Sequence, residues 1–264
     1  MKVLVVDVGG THVKILATGQ SDRRELRSGP TLTPKQMVAG VKRLARDWKY
    51  DVVSVGCPGV VLKGRVVTGP HNLGRGWVGF DFAAAFGCPV KLINDAAMQA
   101  LGRYQGGAML FLGLGTGLGT AMIVEGVVIP MEIGQLPYRK GTFEDYLGLR
   151  GLQRLGRKKW GKHVVAGVAC LTAALQPDEV VLGGGNVKRL KALPPGCRVG
   201  DNADAFLGGF RLWEPARQRT PVICVTSAWD SVTQPLARNW PKPRYHASCT
   251  SSPPSAAVSL NISD

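Results

Sequence analysis

The sequence predicts a mixed α/β fold, and two observations carry this prediction. Short apolar runs that end in glycine alternate with stretches in which apolar residues recur at helical spacing. The 264 residues include 35 glycines, whereas aromatic residues make up only 7% of the chain, which is more typical of many tight strand-to-loop transitions than of a helical bundle. With 45% hydrophobic residues, a chain of this length can bury the core of one or two domains.

The first part of the chain is predicted to form strands and two helices. Strands are expected at KVLVVDVG, HVKILAT, DVVSVG and CPVKLIN, and VVLKGRVVTG is expected to be a hairpin with Lys63-Gly64 at its tip. The polar segment SDRRELRS is not assigned to a strand. A helix is predicted from Thr33-Pro34 to Trp48. Asn94-Asp95 is expected to open a second helix, because a carboxylate is stabilised at the positive end of the helix dipole.

The second part is predicted to repeat this organisation in rough form. Two strands, AMLFLGLG and GTAMIVEG, enclose a glycine cluster, and a helical pattern covers about residues 142–175. DEVVLGGG is expected to be a buried strand followed by a glycine turn and a further helix. A first strand that ends in an acidic or glycine turn, near residue 7 and again near residue 113, indicates a weak internal repeat. Residues 217–264, rich in Pro, Ser and Thr, are predicted to be a disordered or poorly docked tail.

Charge and cysteine usage restrict the class of protein. The formal net charge of +15 indicates nucleic acid, an acidic membrane or a polyanionic substrate as partner, and a generally basic, solvated surface is the alternative. The apolar runs are too short to span a membrane, and MKVLVVDVGG reads as a strand rather than a signal peptide, so we expect a cytoplasmic protein. Six scattered cysteines without C-x-x-C spacing predict neither a disulfide framework nor a zinc site.

The glycine cluster LFLGLGTGLG predicts a close backbone approach. It is neither a dinucleotide fingerprint nor a P-loop, since residue 118 is leucine and no G-K-[ST] follows. Free amides in such a turn can hold phosphate oxygens, and a plain glycine-rich hairpin is the alternative. The predicted phosphate ligands in this turn are Gly115, Thr116 and Gly117.

Two further glycine turns follow predicted strands. After the first strand, the amides of Gly9, Gly10 and Thr11 are predicted to meet a phosphate. Asp7 is predicted to hold a hydrated Mg²⁺, because this ion keeps several waters and takes only one or two carboxylates; alternatively, Asp7 only caps the turn. The third turn suits the flat contact with a base or a chain reversal, and it consists of Gly183, Gly184 and Gly185.

These three motifs, in this order, resemble the first phosphate, second phosphate and adenosine motifs of the sugar kinase, actin and heat-shock ATPase superfamily. Asn94-Asp95 and the EIG of 132–134 narrow the resemblance to the ROK family over about residues 1–214, and GDNADAFLGGFRLWE is similar to the polyphosphate glucokinases within it. The resemblance implies a two-lobed actin-like ATPase (ribonuclease H-like) fold with a cleft between the lobes. The lobes would comprise residues 1–93 and 94–216.

The resemblance also implies roles for single residues. Asp95 would be the catalytic base. Independently of the resemblance, phosphoryl transfer needs a proton acceptor near the phosphates, and an acid at a helix start close to two phosphate turns is in that place. The alternative is that Asp95 is only the N-cap of the helix. The sugar ligands would be Asn94, Glu132, Gln135 and Glu144. No cysteine lies between Glu132 and Glu144, so the zinc site of many family members is expected to be missing. Gln135 stands where the family has histidine.

The predicted protein is therefore a Mg²⁺-dependent kinase that moves a phosphoryl group from polyphosphate, ATP or both to the 6-hydroxyl of glucose. Arg157, Lys158 and Lys159 are predicted to form a polyphosphate patch, with a solvated helix face as the alternative. We expect a homodimer that binds a hexose and neither nucleic acid nor membrane. The alternatives are an ATP-dependent kinase of another hexose and a catalytically weak sugar-binding protein. A sugar-responsive repressor is less favoured, since the first strand already starts at Lys2.

Overall fold

The computed structural model describes residues 1–70, 72–201 and 203–215. These residues belong to one compact unit, Met1–Val222. The predicted tail at 217–264 lies outside the described residues. No helix in the described ranges is long and apolar enough to cross a membrane.

Fourteen strands and six α-helices are found in the described part of the chain. The strands are β1 Val3–Val8, β2 His12–Ala17, β3 Arg24–Arg27, β4 Val52–Cys57, β5 Val61–Leu62, β6 Arg65–Val66, β7 Val90–Asn94, β8 Ala108–Leu114, β9 Leu118–Val124, β10 Val127–Pro130, β11 Pro137–Tyr138, β12 Gly141–Thr142, β13 Glu179–Gly183 and β14 Cys197–Val199. The helices are α1 Pro34–Leu44, α2 Phe82–Phe86, α3 Asp95–Arg103, α4 Phe143–Leu147, α5 Leu149–Leu175 and α6 Asp204–Arg211.

Two five-stranded sheets share one topology, which confirms the internal repeat. The first sheet has the order β3-β2-β1-β4-β7, and the second has the order β10-β9-β8-β13-β14. In each sheet the central strand pairs antiparallel with the strand that follows it and parallel with a later strand. Asp7 lies near the end of β1 and Gly113 near the end of β8, so the two turns that the sequence singled out occupy equivalent places.

Helices α3 and α6 pack against each other very closely at two glycines. A Cβ built on Gly102 would lie 1.8 Å from the carbonyl oxygen of Asp204, and one built on Gly208 would lie 1.8 Å from that of Met98. Helix α6 also contacts β1 and β4 of the first sheet. There the buried Ser54 hydroxyl donates to the carbonyl of Gly209 at 2.6 Å. The end of the described chain is thereby joined to the first sheet, where α6 packs on β1, the strand that carries Asp7.

Several sequence expectations are corrected by the structure. The polar segment at 21–28 contains the edge strand β3, and α2 and β14 were not predicted. The first helix ends at Leu44, before Trp48. The glycine turn after β13 leads into a 3-10 turn, Val187–Arg189, and not into a further helix.

The helical pattern at 142–175 is interrupted twice. Gly148 separates α4 from α5, and Gly156 inside α5 has a left-handed φ of 72°. The basic residues of 150–162 therefore do not share one continuous helical face. Arg150 and Arg154 precede the break, whereas the predicted patch Arg157, Lys158 and Lys159 follows it.

Candidate active site

Asn94 and Asp95 stand at the junction of β7 and α3. Asn94 is the N-cap: its side-chain oxygen accepts hydrogen bonds from the amides of Ala96 and Ala97 at 2.9 and 3.2 Å. Its side-chain nitrogen donates to the carbonyl of Gly59 at 2.9 Å. Capping is thus done by Asn94, which leaves the Asp95 carboxylate in the first turn, where the helix dipole favours negative charge. The Asp95 carboxylate accepts a hydrogen bond from the amide of Ala96 at 2.9 Å.

Four carboxylate side chains are connected by charge effects on the pKa values of Asp95 and Glu132. Burial, and to a lesser extent the charges of Asp7 and Glu132, raise the pKa of Asp95 to about 7. Burial and then the charge of Glu144 raise the pKa of Glu132. Such charge effects require short distances, because charge interactions fall with separation. The structure therefore brings Asp7 from the first sheet together with Asp95, Glu132 and Glu144.

Asp7 has the properties of a cation ligand. Its side chain is 9% exposed and accepts no hydrogen bond from any described residue. Burial raises its pKa, and the charge of Lys14 only partly opposes this effect. A buried carboxylate without hydrogen-bond donors, next to a second carboxylate, is stabilised in its ionised form by a divalent cation. The residues present thus fit Mg²⁺. In the described part of the chain, no group of three or more His, Cys, Asp or Glu side chains could form a metal cluster by itself.

The glycines at 113–119 are needed for different reasons. A Cβ on Gly119 would lie 2.7 Å from Cβ of Ala96 in α3, and one on Gly117 would lie 2.5 Å from Oε2 of Glu144. By contrast, a Cβ on Gly115 would meet nothing nearer than 4.0 Å. Part of the cluster therefore serves internal packing, and open space for a ligand lies at Gly115.

The two phosphate turns offer different amides. The amide of Gly9 donates to the carbonyl of His12, and that of Gly115 donates within its own turn. The amides that donate to no described residue are those of Gly10, Thr11, Thr116 and Gly117. Thr116 is exposed at the tip of its turn, and its carbonyl accepts a hydrogen bond from the amide of Leu149 at the start of α5.

Glu144 connects the predicted sugar ligands with the second phosphate turn. It lies in the first turn of α4, and its Oε2 accepts a hydrogen bond from the amide of Leu118 at 3.2 Å. Its Oε1 faces Arg150 at 3.4 Å. Glu132 precedes a 3-10 turn, Ile133–Gln135, and the exposed side chain of Gln135 has no hydrogen-bond partner among the described residues.

The third glycine turn borders a cavity of about 460 Å³. Gly184 has a left-handed φ of 84°, and a Cβ there would lie 2.5 Å from the carbonyl of Leu114, so this turn requires glycine for its own backbone. A Cβ on Gly183 would clash with the ring of Phe111, whereas Gly185 faces open space. Lys188 and Lys191 line the same cavity, and no sequence motif pointed to them.

The three residues of the predicted polyphosphate patch differ in their contacts with the rest of the protein. The guanidinium of Arg157 donates hydrogen bonds to the carbonyls of Arg189 and Leu190, next to the cavity. Lys158 and Lys159 are exposed and form neither a hydrogen bond nor an ion pair with the described residues. Arg157 therefore supports the 3-10 turn at 187–189.

The repeated sheets and the carboxylates between glycine turns define the actin-like ATPase fold, as the sequence predicted. The chain belongs to the ROK family, whose sequence profile matches residues 3–135. A polyphosphate glucokinase of Mycobacterium tuberculosis is 29% identical over 206 residues, which cover 68% of this chain and 76% of that protein. A glucokinase of Pyrobaculum calidifontis is 26% identical over 238 residues, covering 69% of this chain and 79% of the relative.

Two solved structures show the same fold. The inorganic polyphosphate/ATP-glucomannokinase of Arthrobacter superposes with a TM-score of 0.68 and 23% identity, covering 79% of this chain and 96% of that one. A ROK family glucokinase of Streptomyces griseus, in complex with glucose and AMPPNP, has a TM-score of 0.66 and 17% identity, covering 80% and 99%. The chain therefore has the fold of these two proteins.

Proposed function

We propose that this chain is a sugar kinase that transfers a phosphoryl group from ATP or polyphosphate to the 6-hydroxyl of glucose. The observation that carries the proposal is Asp95: a partly buried carboxyl group with a pKa of about 7, at a helix start, flanked by Asp7 and Glu132. A general base works best when its pKa lies near the operating pH. The kinase names of the relatives support the same reaction class.

In this proposal Asp95 accepts the proton of the sugar hydroxyl as that oxygen attacks the terminal phosphorus atom, and the bond to the rest of the donor breaks. Phosphoryl transfer of this kind depends mainly on positioning and on charge stabilisation. Amides of the two glycine turns would bind the phosphate oxygens, with Gly10, Thr11, Thr116 and Gly117 as the available donors. When bound, Mg²⁺ supplies positive charge against the phosphates, and Asp7 would hold it through water.

The sugar would be held by Glu132, Gln135 and Glu144. The second Nδ2 hydrogen of Asn94 remains for a sugar oxygen, because the other is donated to Gly59. Since Glu144 also accepts from Leu118, a sugar contact at this carboxylate would stiffen the phosphate turn at Gly117. Glucose and donor are therefore expected to strengthen each other's binding.

The donor is proposed to bind along the second sheet. An adenosine group would occupy the cavity beside Gly184 and Gly185. A long polyphosphate carries about one negative charge per phosphate unit, so each lysine or arginine along its path increases its affinity. Lys158 and Lys159 would therefore favour this donor. Its affinity should then fall steeply with salt, by the counterion release that governs nucleic acids.

A charge-reversal experiment separates the two donors. Lys158→Glu/Lys159→Glu should raise the KM for long polyphosphate much more than that for ATP. Arg157→Glu should affect both donors, because Arg157 supports the wall of the cavity. A matched control is Lys42→Glu/Arg43→Glu on the exposed end of α1, which changes the net charge equally on the first sheet.

The activity itself is tested with a panel of hexoses and both donors, with detection of hexose 6-phosphate through a coupled dehydrogenase. If the chain phosphorylates a different hexose, and only with ATP, it is an ATP-dependent kinase of that hexose and not a polyphosphate glucokinase. Equal effects of the lysine reversal on both donors would remove the polyphosphate assignment. Sugar binding without turnover by any donor would favour the alternative, a catalytically weak sugar-binding protein. The observation behind this alternative is Gln135, which is exposed and stands where the family has histidine.

A further inference from the structure

A very short hairpin lies between two of the proposed sugar ligands. Strands β11 and β12 have two residues each and pair antiparallel, with Arg139 at the tip in a left-handed conformation (φ 58°). The hairpin begins two residues after Gln135 and directly precedes the turn of α4 that carries Glu144. A two-stranded hairpin is at best marginally stable in water, so contacts outside it must hold this one in place.

Those contacts are made by aromatic rings. The ring of Tyr138 stacks on Phe143, with 4.6 Å between centroids, and meets Tyr146 edge-on at 5.3 Å. The imidazole of His163, from the middle of α5, lies 5.8 Å from the Tyr138 ring and 4.9 Å from the Tyr146 ring. These four side chains, the ring cluster, join the hairpin to both α4 and α5.

One hydrogen bond connects the hairpin to α5. The hydroxyl of Tyr138 lies 3.2 Å from Nδ1 of His163. Partial burial and the positive charges of Arg139 and Arg154 lower the pKa of His163, so the ring is neutral near pH 7. A neutral imidazole with its proton on Nε2 accepts from a phenol at Nδ1.

The hairpin is also bonded to the segments on either side. The amide of Phe143 donates to the carbonyl of Leu136 at 3.1 Å, which closes the base of the hairpin beside Gln135. Thr142 and Asp145 form a reciprocal capping box that starts α4, with Glu144 in its first turn. A displacement of Tyr138 would therefore be transmitted to both Gln135 and Glu144.

We propose that Tyr138 and His163 are positioning residues of the sugar site: their hydrogen bond fixes the 137–142 hairpin on α5 and thereby sets the places of Gln135 and Glu144. Neither residue touches the sugar in this proposal. The identification of the positioned groups as sugar ligands rests on the proposed function. The anchoring of the hairpin does not.

The test uses the full chain with three variants and one control. Tyr138→Phe keeps the ring contacts and removes the hydroxyl, and His163→Leu removes the acceptor. His163→Asn keeps a polar side-chain atom near the position of Nδ1. The control, Tyr104→Phe, removes a hydroxyl that bonds the carbonyl of Gly107 and the amide of Gly126, away from the hairpin.

Two readouts are measured: amide hydrogen exchange of the segment 132–144, and the KM values for glucose and donor. Tyr138→Phe and His163→Leu should each speed exchange of that segment and raise the KM for glucose by roughly 2- to 10-fold, the range for one lost hydrogen bond. The KM for the donor should rise less than that for glucose, because Glu144 also contacts the amide of Leu118 in the phosphate turn, and His163→Asn should restore much of the glucose affinity. The double variant Tyr138→Phe/His163→Leu should be no worse than either single one, because both remove the same bond.

The control separates positioning from general stability. Tyr104→Phe should lower the melting temperature without changing exchange at 132–144 or the KM for glucose. Unchanged exchange in the Tyr138 and His163 variants would overturn the proposal. So would faster exchange with an unchanged KM for glucose, or equal increases in both KM values. If the parent chain phosphorylates no hexose, the proposed function fails, and the exchange data still decide whether the hydrogen bond anchors the hairpin.

Discussion

Asp95→Asn is expected to stabilise the protein while abolishing most of its activity, and the stabilisation should depend on pH. The pKa of Asp95 is about 7 in the folded chain, against an ordinary value of 3.8. Between about pH 4 and pH 7, the folded chain therefore holds a proton that the unfolded chain has released. The free energy of unfolding falls as pH rises through this window, and the loss is complete above pH 7.

The size of this stabilisation follows from the pH range over which only the folded chain holds the proton. Each pH unit over which only the folded state holds the proton is worth about 1.4 kcal/mol, so a window of about three units gives roughly 4 kcal/mol. Asp95 keeps partial access to solvent, and water reduces the penalty for its charge, so we expect about 2 kcal/mol. Asparagine carries no charge at any pH. The variant should match the parent near pH 4 and exceed its stability by about 2 kcal/mol at pH 8.

Urea unfolding of parent and variant in Mg²⁺-free buffer, at several pH values from 4 to 8.5, measures this difference. The parent should lose stability relative to the variant as pH rises, and added Mg²⁺ should reduce the difference if Asp7 and Asp95 share its charge. If the variant is equally or less stable than the parent at every pH, Asp95 carries no penalty for its ionised form and the prediction is wrong.

Other predictions concern the glycine turns and Gln135. Gly115→Ala should leave thermal stability unchanged and raise the KM for the donor, since its Cβ would enter open space; unchanged donor kinetics would exclude a ligand there. Gly117→Ala should instead displace the carboxylate of Glu144 and raise the KM for glucose, and an effect on the donor alone would contradict this. Gln135→His should tighten glucose binding in calorimetric titrations, whereas an unchanged Kd would mean that residue 135 does not touch the sugar.

Local patterns predicted much of the fold. The apolar strands, the Lys63-Gly64 hairpin and the helix that starts at Asn94-Asp95 follow from neighbouring residues alone, and the structure confirms them. Strand β3 was missed because RELR carries charges on an exposed edge, where only its pairing with β2 makes it a strand. The helix expected after Gly185 does not form, although the glycine turn itself is present.

The reasons for single glycines could not be predicted. A side chain at position 117 would clash with Glu144, and one at position 119 would clash with Ala96. Both partners are more than 20 residues away in the chain. Tyr138 and His163 are likewise 25 residues apart, so no local pattern connects them. Their only sequence signal is a set of aromatic residues close to the proposed sugar ligands, which a helical face or an ordinary core would equally explain.

The most direct test of the account is the rate of phosphoryl transfer to glucose, followed by phosphorus NMR, in the parent chain and in Asp95→Asn with Mg²⁺ and either donor. The parent should form glucose 6-phosphate, and the variant should do so roughly 10²- to 10⁴-fold more slowly, with glucose affinity largely retained. A variant within threefold of the parent rate would exclude Asp95 as the general base, and a parent that forms no phosphorylated sugar would exclude the proposed function.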